Sequence, residues 1–196
     1  MVKLSDSKNK LKSHSEHFIS LSPIGEIEVS LLTAIAHSIK RIFGFPTQIS
    51  SLFSDISFAY DNNRNQYNST QILNQLSTFL PENTSKILAI TDVDLFIPIL
   101  TYVYGEAQLG GISAILSVHR LTESTPLINS DAIISERICK EAIHEIGHMF
   151  NLKHCKDPAC IMHYCRCIGD VDCKTDQLCR YCQILLTDEL GKFKKR

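Results

Sequence analysis

Residues 144–160 read HEIGHMFNLKHCKDPAC, and their types and spacing suit metal-assisted hydrolysis. On a helix at about 100° per residue, His144 and His148 stand about 40° apart, so two imidazoles converge on one ion. Glu145 lies beside them, within reach of a water on that ion. His154, six residues after the second histidine, cannot share that helix face, so the chain must turn back sharply to deliver it. The pivot is Asn151. A left-handed residue ends the helix there, and after glycine asparagine tolerates that conformation best, at about 1 kcal/mol of local cost.

Three neutral imidazoles leave one position of a tetrahedral zinc open, the arrangement of catalytic sites. Such an ion lowers the pKa of its water towards about 7 and polarises a carbonyl. Glu145 would take the water proton, orient the nucleophile and hand the proton to a leaving amine. Together these roles amount to peptide-bond hydrolysis.

A second ligand set begins one residue later. Cys155 and Cys160, then Cys179 and Cys182, form C-x4-C and C-x2-C pairs separated by eighteen residues. Four thiolates fill a tetrahedral zinc and leave no open position, so this site is structural. Because Cys155 directly follows His154, closing it would fix the chain that presents the third histidine. Seven of the eight cysteines crowd between Cys155 and Cys182, which in a reducing cytosol points to metal before disulfides. Cys165, Cys167 and Cys173 stand outside the two pairs, as small buried or surface residues, alternative ligands or a redox-sensitive pair.

These ligands need a helix with one packing side. Ile134, Ile138, Ala142, Ile143, Ile146, Met149 and Phe150 fall across from the histidines at helical period, with Cys139 on the same apolar side as a small core residue. Arg137 and Glu141 share the histidine side. Their spacing suits a solvated helical pair, and their position also suits second-layer support of the ligands.

The chain resembles the archaemetzincins, a branch of the metzincin zinc metallopeptidases, whose signature is HExxHxxGxxH followed by Cys, CxM and CxxC. The residues that carry it are His144, Glu145, His148, Asn151 in place of glycine, His154, Cys155, Cys160, Met162, Cys179 and Cys182. Arg64–Tyr67, Thr91–Pro98 and Ser117–Leu121 also look like family segments, and the likeness runs from about Ile24 to Cys182. The departures are Asn151 and the three extra cysteines. The resemblance implies that Met162 forms an apolar floor beneath the zinc. Tyr164 stands where the related astacins carry a tyrosine near zinc, so it is either an oxyanion stabiliser or a packed aromatic. In the metzincin fold an edge strand above the active-site helix takes up substrate as a further strand, and Ile112–Val118 is the expected edge. His119, at its end, either faces the cleft or has no such duty.

With 196 residues the chain suits one domain. A formal net charge of −1 gives no reason to expect nucleic acid or an anionic membrane as partner. No apolar run approaches the ~20 residues of a membrane span. The polar N-terminus lacks a secretory stretch, so a cytoplasmic setting is expected, and a monomer is expected separately.

Residues 1–20 read as a loose lead-in and 21–196 as the domain. Helices are expected over Ile27–Phe43, Ser69–Phe79 and about Thr175–Lys195, the last five residues forming a solvated basic end. Pro46–Phe58 reads as extended, and strands are expected at Lys86–Thr91, Thr101–Gly105 and Ile112–Val118. This order indicates an α/β (α+β) domain, a twisted mixed sheet packed with helices. Its function is zinc-dependent peptide hydrolysis on peptides or unfolded protein, with two zinc ions. The alternatives are a zinc-dependent binding or regulatory protein that cleaves little and a purely structural zinc module. The second leaves the three histidines unexplained.

Overall fold

The structure, a computed structural model, describes residues 17–52, 54–79, 81–124 and 128–193. Its centre is a five-stranded sheet. In chain order the strands are β1 (Phe18–Ile24), β2 (Thr47–Ile49), β5 (Thr84–Thr91), β7 (Gly105–Ala107) and β8 (Ser113–Ser117), and in space they run β2-β1-β5-β8-β7. Four are parallel, and β7 closes the row antiparallel to β8. A small second sheet, β3 (Tyr60–Asp61), β4 (Gln66–Asn68) and β6 (Leu95–Phe96), sits beside it.

The inner strands β1, β5 and β8 are buried on both faces, and their side chains alternate between two cores. Leu88 and Ile90 of β5, with Ala114 and Leu116 of β8, pack under helices α1 (Val29–Phe43) and α3 (Ser130–Met149). Ile87, Ala89 and Ile115 face the other way, against Ile72, Leu73 and Leu76 of α2 (Ser69–Leu76). The stripe on α1 is the expected one: Leu32, Ile35, Ile39 and Phe43 are buried, and Gly44 ends the helix at φ 78°. The short α4 (Ile168–Cys173) and α5 (Arg180–Phe193) complete the fold.

The described residues depart from the sequence reading in several places. The lead-in falls partly on residues 1–16, outside the described residues, but Phe18–Ser20 belong to β1, where Ile19 and Ser20 are fully buried. The extended stretch from Pro46 is a strand only over Thr47–Ile49. Helix α2 stops at Leu76, and the Ser77 and Thr78 hydroxyls donate back to Asn74 and Gln75 carbonyls. The last helix starts at Arg180, directly after Cys179 and with Cys182 in its first turn, and residues 194–196 of the basic end lie outside the described residues. Ile112–Val118 is not the edge: β8 lies between β5 and β7, all five of its residues buried. The edge is β7, and the strand expected over Thr101–Gly105 begins where that segment ends.

Candidate active site and metal centres

Helix α3 runs under the sheet with its C-terminal half at the open end of β7. Its apolar side is buried as its period requires, with Ile138, Ala142, Ile143, Ile146 and Met149 in the main core. Two helix-end devices then set the ligands. Asn151 adopts the left-handed conformation, φ 64°, its amide bonded to the His148 carbonyl. Lys86, buried on β5, donates to the Met149 carbonyl at 2.9 Å and to the Gly111 carbonyl at 2.6 Å, a cation on the negative end of the helix dipole.

The turn at Asn151 brings the three histidines together, their ligand atoms all within 4.8 Å of one another. His144 Nδ1 donates to the Ile161 carbonyl at 2.9 Å and His148 Nδ1 to the Leu152 carbonyl at 2.7 Å, which turns both Nε2 lone pairs inward. Those Nε2 atoms are 3.1 Å apart, close to the ~3.3 Å between nitrogens on a tetrahedral zinc. Burial, then the Lys174 ammonium, holds His144 well below the ordinary imidazole range. Burial takes His148 down to about 4, and burial with Lys174 lowers His154. All three are therefore neutral near pH 7, the form that binds metal. The donor set fits a zinc ion with a position to spare.

Cys155, Cys160, Cys179 and Cys182 form the second group, again with ligand atoms within 4.8 Å. Cys155 and Cys179 sulfurs are 3.7 Å apart, far beyond a disulfide but close to the ~3.8 Å of two thiolates on one zinc. The Cys179 amide donates to the Cys160 sulfur at 3.3 Å. The extra cysteines stand outside this group. Cys167 caps α4, Cys173 is exposed and Cys165 lines the cleft described below. Cys139 is half-buried against the main core, its thiol pushed up by burial.

Glu145 is buried beside the histidines, and burial, then the neighbouring Glu141 carboxylate, pushes its carboxyl well above the usual range. Above it runs a cleft of about 760 Å³ whose lining includes β7 on one side and Lys153, Tyr164, Cys165 and Arg166 on the other. Ile97, Leu100, Tyr102 and Leu109 add apolar surface. Along β7 the Ser117 amide donates to Tyr104 and the Gln108 amide to Ser113, with Glu106 opposite Ile115. Tyr104, Glu106 and Gln108 thus turn their main-chain groups to β8, while Gly105 and Ala107 turn theirs to the open edge.

The upstream segments brace this wall. Arg64 donates to the Leu100 and Thr101 carbonyls, Gln66 to Thr101 and Asp94, and Arg120 grips Asp94 with two bonds of 2.6 and 2.7 Å. Arg120 also stacks on Tyr102. His119 is exposed and is not part of the cleft lining. Tyr164 packs beside His154, ring centroids 5.0 Å apart.

Two further relationships had no motif to announce them. Arg137 and Glu141 are not a solvated pair: both are buried, Arg137 bound to Asp172 and Glu141 to Lys174. Met162 packs onto the backbone of Gly147, where any Cβ would collide with its sulfur. A glycine in a helix interior costs about 1 kcal/mol against alanine, and that cost is the signal by which close packing at Gly147 could have been found.

Two imidazoles and a carboxylate on a helix beneath a free sheet edge, with a third imidazole carried back by a left-handed turn, define a metallopeptidase site of the metzincin type. The profile of Peptidase family M54 matches residues 34–188, and the chain belongs to that family, the archaemetzincins. It is 35% identical to an archaemetzincin of Pyrococcus furiosus over 181 residues, 89% of this chain and 94% of that one. With an archaemetzincin of Archaeoglobus fulgidus it shares 38% identity over 149 residues, 76% of this chain and 86% of that one. Among solved structures, the archaemetzincin of Methanopyrus kandleri superposes with a TM-score of 0.82 at 29% identity, covering 92% of this chain and 99% of that one. A zinc-dependent peptidase from Methanocorpusculum labreanum gives 0.75 at 28% identity, covering 86% and 99%.

Proposed function

We propose that this chain is a zinc metallopeptidase in which His144, His148 and His154 hold the catalytic zinc and Glu145 is the general base and acid. Cys155, Cys160, Cys179 and Cys182 hold a structural zinc. The observation that carries the reading is the convergence of three neutral imidazoles with a buried carboxyl beneath the open edge of β7.

A zinc ion on three imidazoles supplies Lewis acidity and an acidified water. Glu145 receives the proton at its carboxylate and returns it to the leaving nitrogen. Substrate lies extended along β7, paired with the outward amide and carbonyl groups of Gly105 and Ala107. The apolar lining and the Lys153 and Arg166 wall flank it. The substrate class is a peptide or unfolded protein segment, because only an extended main chain satisfies that edge. Four thiolate ligands require reduced sulfur, which supports the cytoplasmic setting. No helix among the described residues is long and apolar enough to cross a membrane.

The test is cleavage of a diverse peptide mixture by zinc-loaded protein, read by mass spectrometry against Glu145→Ala prepared identically. Products are expected only with the native protein. Identical product patterns from the two would overturn the reading.

A further inference from the structure

Gly105 is a glycine for reasons of space. It is not among the glycines with positive φ, so its backbone would accept an ordinary residue. A Cβ there would instead stand 2.8 Å from both Cγ and Oε1 of Glu145, and 2.7 Å from the Ile115 carbonyl oxygen. The Glu145 side chain therefore lies directly against the main chain of the edge strand, at the residue whose amide and carbonyl face the cleft. The following residue with the same orientation, Ala107, is also small. Glu106 between them turns to the other face, where Ser69 and Thr70 hydroxyls donate to its carboxylate at 2.6 and 3.0 Å. This anchor at the start of α2 holds β7 in place and keeps Gly105 over Glu145.

From this contact we infer that Gly105 is a positioning residue for the hydrolytic step: the bare backbone at this point sets how near the Glu145 carboxylate stands to a peptide paired with β7. The inference rests on the peptidase reading. A side chain at 105 meets the fixed Ile115 carbonyl on one side and the movable Glu145 side chain on the other, so it is the carboxylate that is displaced from the line between acidified water and scissile bond. Misplacement of a reacting group by about 1 Å costs up to about a hundredfold in rate, while main-chain pairing of the substrate is retained.

The experiment compares four zinc-loaded proteins: native, Gly105→Ala, Glu145→Ala, and the double variant Gly105→Ala/Glu145→Ala. Zinc content and thermal stability are measured on all four, and kcat and KM of the native and Gly105→Ala proteins on a peptide that the native enzyme cleaves. Gly105→Ala is expected to keep two zinc ions and to lose about 10- to 100-fold in kcat with KM within about threefold. In the Glu145→Ala background, which lacks both of the Glu145 atoms that residue 105 would meet, the same substitution is expected to lower the melting temperature by less than half as much as in the native background, because the contact with the Ile115 carbonyl is common to both and cancels. Should Gly105→Ala fail to fold, recovery of fold and zinc in the double variant shows that the collision was with Glu145. Equal lowering of the melting temperature in both backgrounds, a double variant that also fails to fold, or a Gly105→Ala enzyme with native kcat each overturns the inference. A native protein that cleaves no peptide in the mixture overturns the peptidase reading instead. The fold and zinc comparison of the single and double variants still reads the contact.

Discussion

Lys174 Nζ stands 2.6 Å from Glu141 Oε1 with both side chains almost wholly out of solvent, 0% and 5% exposed. The pair joins the segment between the two cysteine pairs to the active-site helix one turn before His144. Arg137, another turn upstream, holds Asp172 of the same segment at 2.6 Å, so two ion pairs clamp it to the helix.

Breaking a buried pair strands the partner's charge. Lys174→Met is expected to destabilise the fold by about 3–5 kcal/mol, and Lys174→Met/Glu141→Leu to recover most of that loss. Urea unfolding measures both. Equal midpoints for the single and double variants would show that the pair is not the source of the loss.

Gly147→Ala adds a methyl group where the Met162 sulfur already sits. Helix propensity alone favours alanine by about 1 kcal/mol, and overpacking opposes it by about 1–3 kcal/mol. The expected result is a lowered melting temperature, and a smaller lowering when Gly147→Ala is made in a Met162→Ala background than in the native one. A variant that melts higher than the native protein would mean that Met162 simply moves aside.

On the proposed ligand sets, the adjacency of His154 and Cys155 couples the two metal centres. Cys179→Ser is expected to lose the structural zinc and to release the catalytic zinc to a chelator about tenfold faster. Zinc analysis and stopped-flow chelation follow the two separately. Unchanged release from the histidines would uncouple the sites.

Acid acts on the metal-free protein through its imidazoles. His148 is neutral in the fold down to about pH 4 but takes a proton near 6.5 when unfolded. Between those values the unfolded state binds more protons, so stability is present above about 6.5 and falls as pH drops towards 4. Glu145, raised by burial, works in the opposite sense, since its contribution fades as pH rises above the ordinary carboxyl range. Comparison with metal-free His148→Gln isolates the imidazole: the native protein is expected to lose more stability between pH 7 and 4.5 than the variant. Parallel curves would refute the assignment.

Much of the site was legible because its ligands sit at spacings that a helix and one turn turn into geometry. The left-handed Asn151 follows from the need to fold His154 back, and the observed φ of 64° meets it. The edge strand was not legible. The apolar run at 112–118 is strong because it is buried on both faces, which is the mark of an interior strand, while the true edge is three residues, Gly-Glu-Ala, with no strand pattern. β1 was hidden for a related reason: Ser20 and Ser22, fully buried, interrupt its apolar sequence. Arg137 and Glu141 carried the spacing of a solvated pair. Their actual partners come from a segment whose place against the helix no local pattern encodes.

The cysteine group is the last part of the site to be synthesised. During synthesis the HExxH helix is complete before Cys179 and Cys182 are made, and those two residues complete the group that includes Cys155, next to His154. On the proposed ligand sets, a nascent chain carries every hydrolytic group before the cysteine group beside them can close.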